Sequence, residues 1–228
     1  MSEKIQDQSR TTAKGPLVWD VPTRLFHWAL VILITISFYT GLTGGFDIMD
    51  YHMLSGYGIL SLIIFRLIWG FTGNRHARFT GFVRGPAAVM AYLREIRTQR
   101  PTPGHNPLGA LSVIAILLAI LVQAGTGLFA SDDIFTEGPL VHLIDAGTSG
   151  SLTEIHELMM YITGGLIGLH IAAILWYRFG KQTNLVKPML TGRWFEVSDT
   201  EEAANPWLRG LFVMLLSAGG VYALVTWV

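Results

Sequence analysis

The chain has 228 residues, of which 51% are hydrophobic and only 14% are charged, with 16 basic and 16 acidic side chains. A soluble domain carries about 25% charged residues, so the composition excludes an ordinary soluble protein, and the high hydrophobicity excludes intrinsic disorder. The absence of Cys excludes disulfides, thiolate zinc sites, iron–sulfur clusters and covalently attached haem. A net charge of zero gives no indication of nucleic-acid binding. These features predict an integral membrane protein.

Five segments have the roughly 20 apolar residues that a membrane-crossing helix needs. In chain order they cover about 25–43, 52–71, 108–129, 153–178 and 207–227. A polar tail, residues 1–16, precedes the first segment, which has no signal-peptide cleavage site and is therefore expected to stay in the protein. The polar loop 72–107 is expected to hold one short amphipathic helix near 86–98. The chain is thus predicted to be an all-α membrane protein.

The distribution of basic residues predicts the orientation of these helices. All Lys and Arg lie before the first helix, at the end of the second and in the loop after it, or around the connection between the fourth and fifth. The other two connections, residues 44–51 and 130–152, contain Asp and Glu but no basic residue. By the positive-inside rule, the N-terminus and the 72–107 loop are cytoplasmic and the C-terminus lies on the opposite side. We therefore predict a multi-pass membrane protein, surrounded by lipid.

Four of the seven histidines, His27, His52, His156 and His170, fall within the membrane segments, where ionisable groups are usually functional. His156 and His170 lie 14 residues apart, so they share one helix face about 21 Å apart along the axis. By depth, His27 matches His170 on the cytoplasmic side, and His52 matches His156 on the outer side. Two facing imidazoles at each of two levels suit axial ligation of two haem irons. The pairs are too far apart for one tetrahedral zinc site, and a proton relay stays as an alternative.

Two arginines have positions that agree with haem binding. Arg66 lies 14 residues after His52, on the same helix face and near the cytoplasmic level. It either pairs with a haem propionate or serves as a positive-inside anchor at the helix end. Arg24 lies about one turn before His27 and allows the same two interpretations.

Four segments, RLFHW (24–28), HMLSGYGILSLIIFRLIWG (52–70), HNPLGALS (105–112) and EIHELMMYITGGLIGLHIAAILWYRF (154–179), resemble the bacterial cytochrome b561 family. That family includes the cytochrome b subunits of nickel–iron hydrogenases. The resemblance covers residues 17–195 and implies a four-helix transmembrane bundle with two b-type haems. It assigns His27 and His170 to the cytoplasmic haem, and His52 and His156 to the outer one. The fifth apolar segment, within 196–228, lies outside the pattern and is a candidate docking or dimerisation helix.

The resemblance also implies electron exchange between the quinone or quinol pool (ubiquinone or menaquinone) and a redox partner. HNPLGALS resembles short members that work beside a periplasmic c-type cytochrome, so we predict that partner, with a hydrogenase-like redox subunit as the alternative. The acidic outer loop 130–152 suits a basic partner surface. Asp50, Glu154 and Glu157 are candidate acceptors of quinol protons, although solvated loop positions explain them more simply.

Two other functions remain open. A superoxide:quinone oxidoreductase would need cationic groups around an outer haem edge, and the outer connections have no Lys or Arg. A proton-coupled transporter, or a membrane anchor, would use the histidines as relay or packing groups instead of ligands. The histidines of a cytochrome are ligands and not acid–base catalysts, so no catalytic residue is predicted.

Overall fold

The computed structural model describes residues 15–98, 104–194 and 204–227. Its helices, in chain order, are α1 (Val21–Thr43), α2 (Phe46–Thr72), α3 (Phe79–Phe82), α4 (Pro86–Arg94), α5 (Pro107–Gly127), α6 (Ala146–Phe179), α7 (Val186–Thr191) and α8 (Trp207–Trp227). Among these residues β-structure is limited to two isolated bridges. Five helices, α1, α2, α5, α6 and α8, are long and apolar enough to cross a membrane. The predicted all-α membrane architecture is confirmed.

Three of the membrane helices begin well before their apolar segments, the first of them, α1, at Val21 instead of near 25. The helix α2 starts at Phe46 instead of near 52, and α6 starts at Ala146 instead of near 153. The carboxylate of Asp145 accepts the backbone N–H of Thr148 at 3.0 Å and so caps the first turn of α6. Because the prediction counted apolar residues only, it left out these first turns; the turn of α6 is capped by Asp145, whereas α2 begins after Gly45 without a side-chain cap.

The connection between α1 and α2 depends on two consecutive glycines. Gly44 and Gly45 have φ angles of 66° and 95°, in the left-handed region that glycine adopts without strain. The N–H of Gly44 donates to the carbonyl of Thr40 at 2.9 Å and ends α1. The chain therefore reverses within two residues, and α1 and α2 pack side by side.

The helix α2 is the centre of the bundle, since it packs against α1, α5 and α8. Its side chains Ile63, Phe65 and Trp69 are almost completely buried, in one cluster with residues of the other three helices. The helix α6 packs mainly against α5 and leaves most of its apolar side chains exposed. Those side chains are available to lipid or to a cofactor.

The fifth membrane helix is an integral part of this bundle. Its buried residues, Gly210, Val213, Ser217 and Val221, form one stripe at helical spacing, and the helix packs against α2. A Cβ at Gly210 would lie 2.4 Å from Cγ of Pro22, so only glycine allows this approach. The small face of α8 is therefore used within the chain. A dimer through the helix stays a prediction.

The two ends of the bundle differ in charge. The acidic end consists of residues 44–45 and 128–145; the basic end consists of the described parts of 15–20, 73–106 and 180–194. At the acidic end, Oδ1 of Asp132 accepts three consecutive backbone N–H groups at 2.8–3.0 Å. These hydrogen bonds lower the pKa of Asp132 to about 2. The loop is therefore a well-defined turn that carries a fixed negative charge.

At the basic end, the short helix expected near 86–98 forms as α4, and its Tyr92 hydroxyl hydrogen-bonds the hydroxyl of Tyr177 on α6. Asp20 is fully buried and caps α1 by accepting the N–H of Thr23 at 2.8 Å. Its second oxygen accepts the indole N–H of Trp69 at 3.3 Å. These contacts fix the beginning of α1 against the end of α2.

Candidate functional site

His52 of α2 and His156 of α6 meet in the half of the bundle nearest the acidic end. Their ring centroids are 6.0 Å apart and their ring planes are at 86° to each other. Two imidazoles on opposite sides of one haem iron have centroids about 6 Å apart, because each metal–nitrogen bond is about 2 Å long. The separation is therefore compatible with an iron atom between the two rings.

Backbone carbonyls of the neighbouring helices orient both rings. Nδ1 of His52 donates to the carbonyl of Ser37 on α1 at 2.9 Å, and Nδ1 of His156 donates to the carbonyl of Gln123 on α5 at 2.8 Å. The partners assign the ring proton to Nδ1, which leaves the lone pair on Nε2. Accordingly, the Gln123 side-chain amide donates to Nε2 of His156 at 3.1 Å. Metal-bound histidines commonly donate their other N–H in this way, so both Nε2 atoms are candidate ligands.

The two rings rest on equivalent Thr-Gly dipeptides. A Cβ at Gly41 of α1 would lie 2.9 Å from Cε1 of His52, and a Cβ at Gly127 of α5 would lie 2.8 Å from Cε1 of His156. The preceding residues, Thr40 and Thr126, each place a hydroxyl 3.4 Å from Nδ1 of the same ring. Each dipeptide lies one helical turn after the residue whose carbonyl accepts the N–H of the ring, Ser37 or Gln123. The sequence alone does not mark this arrangement, because Thr-Gly also occurs at five other places in the chain.

A cavity of about 720 Å³ adjoins both rings and is lined, mostly by apolar atoms, by α1, α2, α5, α6 and the acidic-end loop. Ligand pockets are commonly about 300–1,000 Å³. Gly56 lies one turn after His52 and lines the cavity, and a Cβ there would have no neighbour within 4 Å. A planar cofactor that approached α2 at this point would meet no side chain.

His27 of α1 and His170 of α6 lie toward the basic end. Their charges are close enough to interact, so the fold brings these two residues to one level, as the helix depths predict. The ring of His27 packs edge-on against Trp28, with 5.0 Å between the centroids. Within the described residues, Nδ1 of His27 is buried without a hydrogen-bond partner. This ring therefore lacks the carbonyl contact that orients His52 and His156.

Arg66 is withdrawn into the protein, with 3% of its side chain exposed. Its Nη2 donates to the carbonyl of Ala77 at 3.1 Å, and its guanidinium lies 4.7 Å from the ring centre of Phe79. In the part of the chain that the structure describes, Nη1 is buried and has no partner. An interfacial anchor keeps its charged group in water, which Arg66 does not do. The geometry favours the other interpretation, a partner for a buried anion.

Arg24 lies in the first turn of α1, and its Nη1 donates to the carbonyl of Leu190 at 2.6 Å. Its main visible effect is to fix α1 to α7 at the basic end. The candidate proton acceptors Asp50, Glu154 and Glu157 are all exposed at the other end. Of these, Glu157 lines the cavity beside the His52–His156 pair.

His105, which the sequence places in a loop, lies at the same level of the bundle as His27 and His170, the basic-end level. Its ring lies between Trp19 and Phe82, with centroid distances of 4.8 Å and 4.3 Å. The next residue caps α5, since the Asn106 side chain accepts the N–H of Gly109 at 2.7 Å, and this cap holds His105 in place. Burial, followed by the positive charges of Arg66 and nearby histidines, lowers the pKa of His105 to about 3.

The chain resembles known membrane cytochromes over most of its length. A probable Ni/Fe-hydrogenase B-type cytochrome subunit of Azotobacter vinelandii is 26% identical over an alignment 228 positions long. This alignment covers 83% of this chain and 90% of the relative. A probable Ni/Fe-hydrogenase 1 B-type cytochrome subunit of Escherichia coli (strain K12) is 22% identical over 208 aligned residues, covering 77% of this chain and 88% of the relative. No solved structure matches the chain significantly.

Residues 18–192 match the family model for prokaryotic cytochrome b561. The matched region runs from the start of α1 to the end of α7 and includes all four membrane histidines. It leaves out α8, as the resemblance of the sequence motifs already indicated. The chain belongs to the prokaryotic cytochrome b561 family.

Proposed function

We propose that this membrane electron-transfer protein holds two b-type haems, one between His52 and His156 and one between His27 and His170. Haem b is the cofactor that membership of a b-type cytochrome family implies. When bound, it would supply one-electron redox chemistry, and the two histidines of each pair would hold its iron and leave it no site for a substrate. The observation that carries the proposal is the His52–His156 arrangement, with rings 6.0 Å apart and both Nδ1 atoms bonded to carbonyls.

The surrounding residues have the task of orienting the ligands and excluding water. The carbonyls of Ser37 and Gln123 fix the tautomer and the direction of the outer rings, which raises the basicity of Nε2. The glycines of the Thr-Gly dipeptides let each ring lie against a helix backbone. His156 and His170 are 14 residues apart on one helix, so the two levels are about 21 Å apart. Two such levels form a path for electrons along the membrane normal.

The basic end is the cytoplasmic end in this proposal, and the membrane is the bacterial inner membrane. The support is the distribution of charge: the connections at the acidic end contain no Lys or Arg. With five crossings, the N-terminus is then cytoplasmic and the C-terminus periplasmic. The His52–His156 level consequently faces the periplasm.

The electron partners are the quinone pool and a redox protein that docks at the acidic end. The names of the two relatives point to a hydrogenase as this redox protein. The acidic loop, with Asp132, Asp133 and Glu137 around the exposed Ile134 and Phe135, favours any partner with a basic rim, including a small c-type cytochrome. Quinone is expected at a haem edge.

A visible spectrum of the purified full chain tests the haem proposal. We expect a reduced-minus-oxidised b-type α band and two haems for each chain. His52→Ala and His156→Ala should remove the same haem, and His27→Ala and His170→Ala should remove the other. A chain without haem would leave the transporter or anchor function in its place. If His52→Ala and His170→Ala removed the same haem, the proposed pairing would be wrong.

The salt dependence of electron transfer tests the docking surface. The rate at which a reduced basic c-type cytochrome reduces the protein should fall as the ionic strength rises, because screening weakens attraction to the acidic end. Substitution of Asp133 and Glu137 by Asn and Gln should lower the rate at low salt and flatten the salt dependence. A rate that is independent of salt in the unmodified protein would contradict docking by charge.

A further inference from the structure

Several buried nitrogen atoms toward the basic end have no hydrogen-bond partner among the described residues, and three of them are grouped around the loop residue His105. These three are Nη1 of Arg66, Nε2 of His76 and Nδ1 of His105. His105 is close enough to Arg66, His76 and His170 for their charges to interact. Buried polar atoms are almost always hydrogen-bonded, and Nη1 of Arg66 can only donate, so this neighbourhood lacks an acceptor, which an imidazole N–H of His105 could share.

The nearest buried carboxylate does not supply that acceptor. Asp20 already accepts the N–H of Thr23 at 2.8 Å and the indole N–H of Trp69 at 3.3 Å. Arg66 itself has one carbonyl partner, Ala77, and an aromatic ring on one side. Around Arg66 and His105, hydrogen-bond donors therefore outnumber acceptors, and positive charge exceeds negative charge. A bound carboxylate would supply two acceptor oxygens and one negative charge. A guanidinium with a free Nη binds such a group by charge-assisted hydrogen bonds.

We infer that Arg66 and His105 bind a propionate carboxylate of the haem between His27 and His170, and that this haem has the higher reduction potential of the two. The inference rests on the proposed function, because it requires both haems. Its position follows from the packing of α1 on α2: the rings of Phe26 and Phe65, the chain neighbours of His27 and Arg66, have centroids 6.1 Å apart. The electrostatic interaction of His105 with His170 agrees with this placement.

The order of the potentials follows from charge. Reduction adds one electron to the ferric iron, so positive charge nearby stabilises the reduced form and an unpaired propionate destabilises it. Arg66 supplies the positive charge at the basic-end level and neutralises the propionate. The cavity beside His52 and His156 is lined by Asp132, Asp133 and Glu157 and by no Lys or Arg among the described residues. That level therefore favours the oxidised form.

Potentiometric titration of the purified full chain tests both statements. The titration curve of the unmodified protein should have two components, each with its own midpoint potential. The component that is missing from His170→Ala belongs to the haem at the basic end. Arg66→Gln should lower that component by about 59 mV, a tenfold change in its one-electron equilibrium constant, and leave the other unchanged. His105→Phe, which keeps a flat ring between Trp19 and Phe82, should lower the same component less. Arg94→Gln, an exposed cation of the same end, is the control and should shift neither.

Two results would overturn the inference: Arg66→Gln and His105→Phe leave the basic-end component unchanged, or they shift both components equally. A basic-end component below the other one in the unmodified protein would overturn the order of the potentials. If Arg66→Gln did not retain this haem, the reduction potentials would be titrated in Arg66→Lys and His105→Phe instead. An unchanged basic-end component, or equal shifts of both components, would again overturn the inference. Absence of haem, or loss of different haems from His27→Ala and His170→Ala, would instead defeat the proposed function.

Discussion

Gly127 and Gly41 are the positions where one added methyl group should disturb the His52–His156 pair most. An alanine Cβ at residue 127 would lie 2.8 Å from Cε1 of His156, and one at residue 41 would lie 2.9 Å from Cε1 of His52. Non-bonded carbon atoms are favourably placed about 3.5–4.0 Å apart, so the rings would have to move. Each ring is also bonded to a carbonyl one turn earlier on the same helix, so this movement weakens that bond.

The expected loss can be estimated from the two contacts involved. Overpacking of a close-packed site costs about 1–3 kcal/mol. Each 1.4 kcal/mol of binding free energy changes the dissociation constant tenfold, so haem affinity at the His52–His156 site should fall roughly 5- to 150-fold. Perturbing the residues that orient metal-bound histidines typically costs about 10–100-fold in affinity, which is the same range. The haem at the His27–His170 level should keep its affinity.

The measurement is the haem-to-protein ratio after purification, together with the rate of haem release followed by visible absorbance. Gly125→Ala is the matched control, because it lies two residues earlier on the same helix and a Cβ there would have no neighbour within 4 Å. Gly127→Ala should release one of the two haems faster, and Gly125→Ala should behave like the unmodified protein. Equal haem retention in both variants would show that His156 does not lie against this backbone.

Three other changes test the frame around the site. The carboxylate of Asp132, followed by the NMR shift of its carboxyl carbon, should titrate with a pKa of about 2. The loop should therefore stay ordered from neutral pH through the usual Asp range and loosen as the pH falls through about 2. A titration midpoint near 3.8 would contradict the three hydrogen bonds to this carboxylate. Asp20→Ala should cost about 2–4 kcal/mol, from a lost cap and the unpaired indole N–H of Trp69, and Asp20→Asn less, as measured by thermal unfolding in detergent. Gly210→Leu should also lower thermal stability, whereas Gly220→Leu, where a Cβ meets open space, should not; equal effects would contradict the packing of α8.

The helices could be predicted because the bilayer imposes a single requirement, about 20 apolar residues for each crossing. Where the structure departs from the prediction, a local contact is the reason. The helix α6 begins at its cap, Asp145, and continues through polar turns that no hydropathy pattern marks as membrane. The inclusion of α8 in the bundle also needed the structure, because small residues at helical spacing suit a partner in the same chain as well as in another.

The depth of the membrane histidines could be predicted from helix periodicity alone, but their surroundings could not. The groups that orient His52 and His156 are main-chain carbonyls, and a carbonyl looks the same on every residue. His105 reaches the basic-end level through the fold of a loop, and its contacts with Trp19 and Phe82 join residues far apart in the sequence. Such contacts leave no periodic pattern.

The charge distribution that orients the chain also bears on the direction of electron transfer. An electron moving from the His52–His156 level to the His27–His170 level moves toward the basic end, which in the proposed orientation is the negative side of the membrane. A full crossing costs about 2.3 kcal/mol per 100 mV, and the two levels are separated by about 21 Å of a roughly 30 Å core, so this step costs about 1.6 kcal/mol per 100 mV. A buried guanidinium at the receiving level opposes that cost, and Arg66, with 3% of its side chain exposed, is placed to provide it.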